Sequence, residues 1–182
     1  MDGSPLAETA IEPAVRLAAA LASRENGEKA SVHLLYVVQP LPLTATAPLG
    51  YGVHGANLSS LNTEMDLVKE GETYLQDLAK RVGEAYAGAL GVSITYTSLY
   101  GADVAGDILA AAEGMLDAPS KGQPAHAHAD FIAMATHGRG GLRRWVMGSV
   151  TDRVLHATTH PMLIVRPTLP DAGDNVPPAD GQ

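Results

Sequence analysis

Cysteine is absent from all 182 residues, which excludes a disulfide framework and any thiolate metal site. A chain without thiols suits a reducing compartment. No apolar run approaches the roughly 20 residues that span a bilayer. The start, Met-Asp-Gly-Ser-Pro, has neither the positive charge nor the apolar stretch of a secretion signal. These absences lead us to expect a soluble cytoplasmic protein with no membrane partner. Basic residues are scarce: 12 Lys and Arg stand against 20 Asp and Glu, a net charge of −8. Generic nucleic-acid binding needs a basic face and is not expected. Two familiar phosphate-binding patterns are also missing. There is no G-x-x-x-x-G-K-[ST] loop, and Gly138-x-Gly140-Gly141 does not complete G-x-G-x-x-G.

What is present is a hydrophobic fraction of 46%, ordinary for a chain that buries one core. Ser4-Pro5 is a helix-entry signal, and Leu6, Ala10, Ala14, Leu17, Ala18 and Leu21 follow at helical spacing. Pro13 lies inside that pattern and should bend the helix, which Asn26-Gly27 ends. Ser31–Val38 is apolar on both faces, as a strand of a parallel sheet is. Residues 39–58 read as a long surface loop. Leu61, Met65, Val68, Leu75, Leu78, Val82, Tyr86 and Ala89 mark one face of a long helix, which Gly91 is placed to end. A strand over Val92–Leu99 and a helix over Val104–Leu116 come next, then a polar connection, 117–129. The strand Phe131–Ala135, the helix Gly148–Ala157 and the strand Met162–Val165 complete the pattern. This alternation predicts an α/β fold, an open, mainly parallel sheet with helices on both faces. We expect one domain over 1–168 and a disordered tail, 169–182, rich in Pro, Asp and Gly.

The charge is unevenly distributed. Between Phe131 and Thr168 lie Arg139, Arg143, Arg144, Arg153 and Arg166, with Asp152 the one acid; this segment nets +4 in a chain of −8. A local positive field on an acidic protein suits a small anion better than a polymer. In the same segment a strand runs into a glycine-rich loop, and Gly148-Ser149 opens a helix about ten residues later. A helix start offers unpaired N–H groups and the positive end of the dipole, and glycine lets a phosphate come close. Ser149 can donate to a phosphate oxygen or cap the helix. On the residues alone, a phosphate site and a plain structural turn both remain open.

Residues 131–167 closely resemble the C-terminal half of the universal stress protein family. Its ATP-binding members carry Gly, two residues, Gly, nine residues, then Gly and Ser or Thr. Here Ala135 stands in the first glycine position, Gly138 in the second, and Gly148-Ser149 closes the pattern after 139–147. Val150–Leu155 and His160–Arg166 look like the family's last helix and strand, and the resemblance extends to Asp2-Gly3-Ser4, Leu34–Val38 and Gly101. It implies a sheet ordered 3-2-1-4-5, of the adenine-nucleotide α-hydrolase-like type, and binding of ATP with Mg2+ or Mn2+. It also implies regulation rather than catalysis, and a homodimer formed through the last strand, Met162–Val165. By the same resemblance Asp2 would contact the nucleoside and Val37 would line the adenine pocket. Ala135 would lie near the ribose, and Gly138, Gly148, Ser149 and Val150 would surround the phosphates, with Arg139 a possible further contact. The family's first strand, which leads into the Asp-Gly-Ser equivalent, is not found ahead of Asp2. We therefore expect a truncated or misplaced start, with weakened stability and weakened ATP affinity.

Two rival readings come with the resemblance. One is a dimeric interaction module of this fold that does not bind nucleotide, which Ala135 and the missing strand favour. The other is an adenylate-handling enzyme, for which no His-x-x-His signature and no nucleophile–base–orienter set is seen. Elsewhere, His126 and His128 lie two apart but lack an evident third metal ligand. His33 and His156 read as partly buried structural residues.

Overall fold

The computed structural model describes residues 3–23, 29–39, 56–115, 128–136 and 147–167, the side chains of 56–63 and of Ala87 excepted. The expectations on Asp2, Gly138, Arg139, His126, most of the 39–58 loop and the tail 169–182 lie outside those residues.

Helix α1, Pro5–Glu8, starts as the sequence indicates: the Ser4 hydroxyl oxygen accepts the Ala7 N–H at 3.2 Å, and Pro5 takes the first helical position. The single helix bent at Pro13 is instead two helices, because α2 begins afresh and runs Ile11–Ala22. Pro13 has no N–H for the Thr9 carbonyl and its ring would strike it, so the helix breaks before that turn. Pro13 then falls in the first turn of α2, where no donor is needed.

Strands β1, Ser31–Val38, and β2, Ser93–Tyr100, pair in parallel from Ser31↔Ser93 to Val38↔Tyr100. Between them α3, Ala56–Val82, widens into a turn over Gly83–Ala87 and ends in the short α4, Gly88–Leu90. Gly91 closes it at φ +69°, a conformation that glycine adopts without strain. Leu75, Leu78 and Val82 are buried as expected, but Met65 is 72% exposed. The neighbouring Glu64 accepts the Tyr100 hydroxyl at 2.9 Å, so this turn lies level with the last residue of β2, where the sheet runs out. Strands β3, Ile132–Ala135, and β4, Met162–Val165, form a second parallel pair, accompanied by α5, Val104–Ala112, and α6, Ser149–Ala157.

The described strands thus make two parallel pairs rather than one sheet. Each pair has its own apolar core. Ile11, Val15, Leu34, Leu75, Leu78, Val82 and Val92 form the first, between α2, α3 and the β1–β2 pair. Ala105, Ala112, Ile132 and Val154 form the second, with Ile108, Leu109, Met134 and Met162 packed on it. The N-terminal segment touches both halves, α1 against β3 and α2 against β1. Glu8 anchors α1 to α3 by accepting the Tyr74 hydroxyl at 2.8 Å and pairing with Arg81 at 3.3 Å. Among the described residues no helix is long and apolar enough to cross a membrane.

Candidate functional site

Parallel strands end on the same side, and in such folds ligands gather beyond their carboxyl ends. At the carboxyl end of β3 the chain is pinned twice: Thr136 donates its N–H to the Val165 carbonyl at 2.9 Å, and Gly148 donates to the Thr136 carbonyl at 3.0 Å. The second bond sets the start of α6 directly beside the end of β3. Thr151, buried in the first turn of α6, adds a hydroxyl bond to the Ala135 carbonyl at 3.3 Å. Ala135, Gly148, Ser149 and Val150 are therefore brought together. Thr136 and Thr151, which hold them there, were not among the expected residues; the second is spaced one helical turn from Gly148.

The helix start has the features of an anion site. Its N-cap is Gly148, at φ −59° and ψ 143°, with no side-chain capping bond. Ser149 is the first helical residue and is exposed, so the structure corrects the reading of Ser149 as a cap. The first bond of the helix runs from Asp152 N–H to the Gly148 carbonyl at 2.9 Å, which leaves the N–H groups of Ser149, Val150 and Thr151 with no partner inside the helix. Val150 turns its side chain onto the second core and so presents only its backbone. Gly148 has negative φ, so its use is not positive-φ freedom. A Cβ there would meet the Thr136 carbonyl oxygen at 3.4 Å, an ordinary contact, and glycine instead leaves the mouth of the site open.

The surrounding charges are mixed. Asp152 lies in the first turn of α6, and the carboxylate of Asp103 holds Arg153 at 3.0 Å. Val37, buried on β1, is the residue before that strand's last, in the other half of the molecule. The neighbouring Val38 carbonyl accepts the Gly101 N–H at 3.0 Å. The Asp107 carboxyl lies against Gly101, where any side chain would strike it. Its Oδ2 is out of reach of water and has no hydrogen-bond partner among the described residues. Burial first, and then the charge of Asp103, push the Asp107 carboxyl above its ordinary value of 3.8. A raised carboxyl pKa costs stability at neutral pH, and the cost disappears once both folded and unfolded chains are protonated. Asp107→Asn should therefore stabilise the protein at pH 7, by at most about 1 kcal/mol at this partly solvated residue. The gain should fade as pH falls through the raised value and be gone below the ordinary 3.8; urea melts at pH 7 and at about pH 3 check this, and a gain that grows in acid would contradict it.

His33 meets the Thr95 hydroxyl across the β1–β2 pair at 2.8 Å, a structural role as expected, whereas His156 is exposed. An open groove of about 480 Å3 runs along α3, lined by Asp66, Lys69, Glu70, Thr73, Tyr74 and Asp77. Three carboxylates make it a poor place for phosphate.

Residues 124–166 match the Universal stress protein family. Among solved structures, the universal stress protein UspA from Lactobacillus plantarum is 19% identical, over 91% of this chain and 93% of that one, with a TM-score of 0.61. A protein of the universal stress protein family from Burkholderia pseudomallei is 22% identical, over 91% of this chain and 90% of that one, with a TM-score of 0.54. No curated protein matches the sequence. The chain has the α/β fold of universal stress proteins, and the matched segment contains the β3–α6–β4 unit described above.

Proposed function

We propose that this chain, with a universal stress protein segment on a universal stress protein fold, is a cytoplasmic stress-response protein that binds ATP and acts through conformation or partners. The observation that carries the reading is the start of α6. Three backbone N–H groups without helical partners follow a glycine cap, beside the end of a parallel strand. A triphosphate fits this arrangement through backbone donors and the helix dipole, with the Ser149 hydroxyl as a further donor. Mg2+ or Mn2+ would be held mainly by the phosphates, as such hard cations prefer oxygen ligands. Asp2, Gly138 and Arg139 belong to the same proposal by resemblance.

A homodimer formed through β4 belongs to the same reading. Met162–Val165 is apolar, and among the described residues β4 pairs with β3 on one edge only. An unpaired apolar edge is a ready surface for a second copy. The second reading, an interaction module without nucleotide, is favoured by Ala135, whose methyl stands where ATP-binding relatives have glycine. The separation of the strands into two pairs also favours it.

Denaturing the purified protein and weighing what is released separates the two. ATP in the supernatant, together with a thermal shift on adding ATP and Mg2+, is the expected result. Neither nucleotide nor shift would leave the interaction module as the better reading.

A further inference from the structure

A second cluster of chemistry lies at the opposite, amino ends of β3 and β4. The side chains of Glu113, His128 and His160 offer ligand atoms that all lie within 4.8 Å of one another. The Glu113 carboxylate sits between the two rings, with Oε2 3.7 Å from His128 Nδ1 and Oε1 3.7 Å from His160 Nδ1. These residues are 15 and 32 positions apart in sequence, yet backbone bonds hold each of them in place. Ala129 donates its N–H to the Ala112 carbonyl at 2.8 Å, which fixes His128 beside the end of α5. Gly114, at φ +68°, turns the chain immediately after Glu113. Ile132 donates to the Pro161 carbonyl at 3.0 Å, which brings His160 alongside, and the His160 N–H is itself held by the Thr158 hydroxyl at 3.0 Å.

We propose that Glu113, His128 and His160 form a binding site for a divalent transition-metal ion, with Zn2+ the ion best suited. Two imidazoles and one carboxylate are a three-ligand set that zinc accepts, with water in the fourth position. Hard cations such as Mg2+ avoid nitrogen ligands, so this ion is distinct in kind from one that would accompany a nucleotide. The spacing fits too. Ligand atoms around a tetrahedral zinc lie roughly 3.3 Å apart, given bonds of about 2.0 Å. The two 3.7 Å separations from Glu113 need only a small closure, and the two imidazoles, within 4.8 Å of one another, must draw together around the ion. The His160 side chain is 12% exposed while His128 is 76% exposed, so one ligand is built into the fold and another is open to the arriving ion. A bound ion would tie the end of α5 to the entries of both β3 and β4. Its role is structural or regulatory, at the far end of the strands from the α6 helix start. The proposal does not depend on whether nucleotide binds.

The test uses the full chain without a histidine tag, stripped with chelator and then titrated with Zn2+ by calorimetry and with Co2+ by visible absorption. We expect one equivalent per chain, a four-coordinate Co2+ spectrum, and a melting temperature raised by several degrees with Zn2+. Glu113→Gln, His128→Gln and His160→Gln should each weaken Zn2+ binding by at least about 100-fold. His156→Gln, at an exposed histidine on α6, should leave it unchanged. Glu113 is partly exposed, so Glu113→Gln keeps the test valid if His160→Gln fails to fold. No stoichiometric binding, or binding unaltered in Glu113→Gln and His128→Gln, would overturn the site.

Discussion

Replacing Leu75 by alanine should destabilise the protein by about 3 kcal/mol, because the side chain is wholly buried and its removal leaves a cavity as well as lost apolar contact. Leu75 lies on the α3 face that packs against β1 and β2, in a cluster with Val15, Leu34 and Leu78. That cluster shares no residue with the one around Ile132 and Val154. No strand pairing joins β1–β2 to β3–β4 among the described residues, so the loss should fall unevenly. Hydrogen exchange on Leu75→Ala should show amides of 31–38 and 93–100 losing protection well before those of 132–135 and 162–165. Urea melts give the total. A loss below about 1 kcal/mol would contradict the cavity cost at Leu75, and equal deprotection of both pairs would mean that the two cores act as one.

That division explains why some of this fold is legible in the sequence and some is not. The run Ser31–Val38 is apolar on both faces and is a strand over the same eight residues. Gly91 ends its helix where it stands, since a single φ value decides the matter. Local chemistry is enough in such cases. Pro13 shows the limit: the sequence indicates a disturbance, but only the fold shows it to be a break between α1 and α2 rather than a bend. Met65 keeps perfect helical spacing and is still exposed, because periodicity does not tell how far the sheet extends beneath a helix.

The two candidate sites divide in the same way. Gly148, Ser149 and Val150 are contiguous and open a helix, so their grouping is local and readable. The bonds that place them, from Gly148 to Thr136 and from Thr151 to Ala135, are made by folding and have no motif. The Glu113–His128–His160 cluster has still less of a signature. In sequence, His128 invites pairing with His126, two residues away. In the structure its neighbours come from the end of α5 and the entry to β4, which only the β3–β4 register brings together.

The α6 helix start permits a substitution that separates folding from binding by sign. Gly148→Asp should leave the protein as stable or raise its stability by a few tenths of a kcal/mol, since aspartate is a better N-cap than glycine and favours the positive end of the dipole. The backbone already has the extended geometry that an N-cap residue uses, at φ −59° and ψ 143°. A Cβ would stand 3.4 Å from the Thr136 oxygen, close but unstrained. The new carboxylate would take up the N–H groups of Val150 or Thr151 and put a negative charge where phosphate must sit. ATP affinity should therefore fall by about 100-fold or more, equivalent to roughly 3 kcal/mol. Most substitutions that damage a site also loosen the fold, which makes a lost affinity hard to interpret. Here the melting temperature should hold or rise while calorimetric ATP binding vanishes. If ATP binds Gly148→Asp as well as it binds the parent chain, the nucleotide lies elsewhere and the α6 start is only a well-made turn.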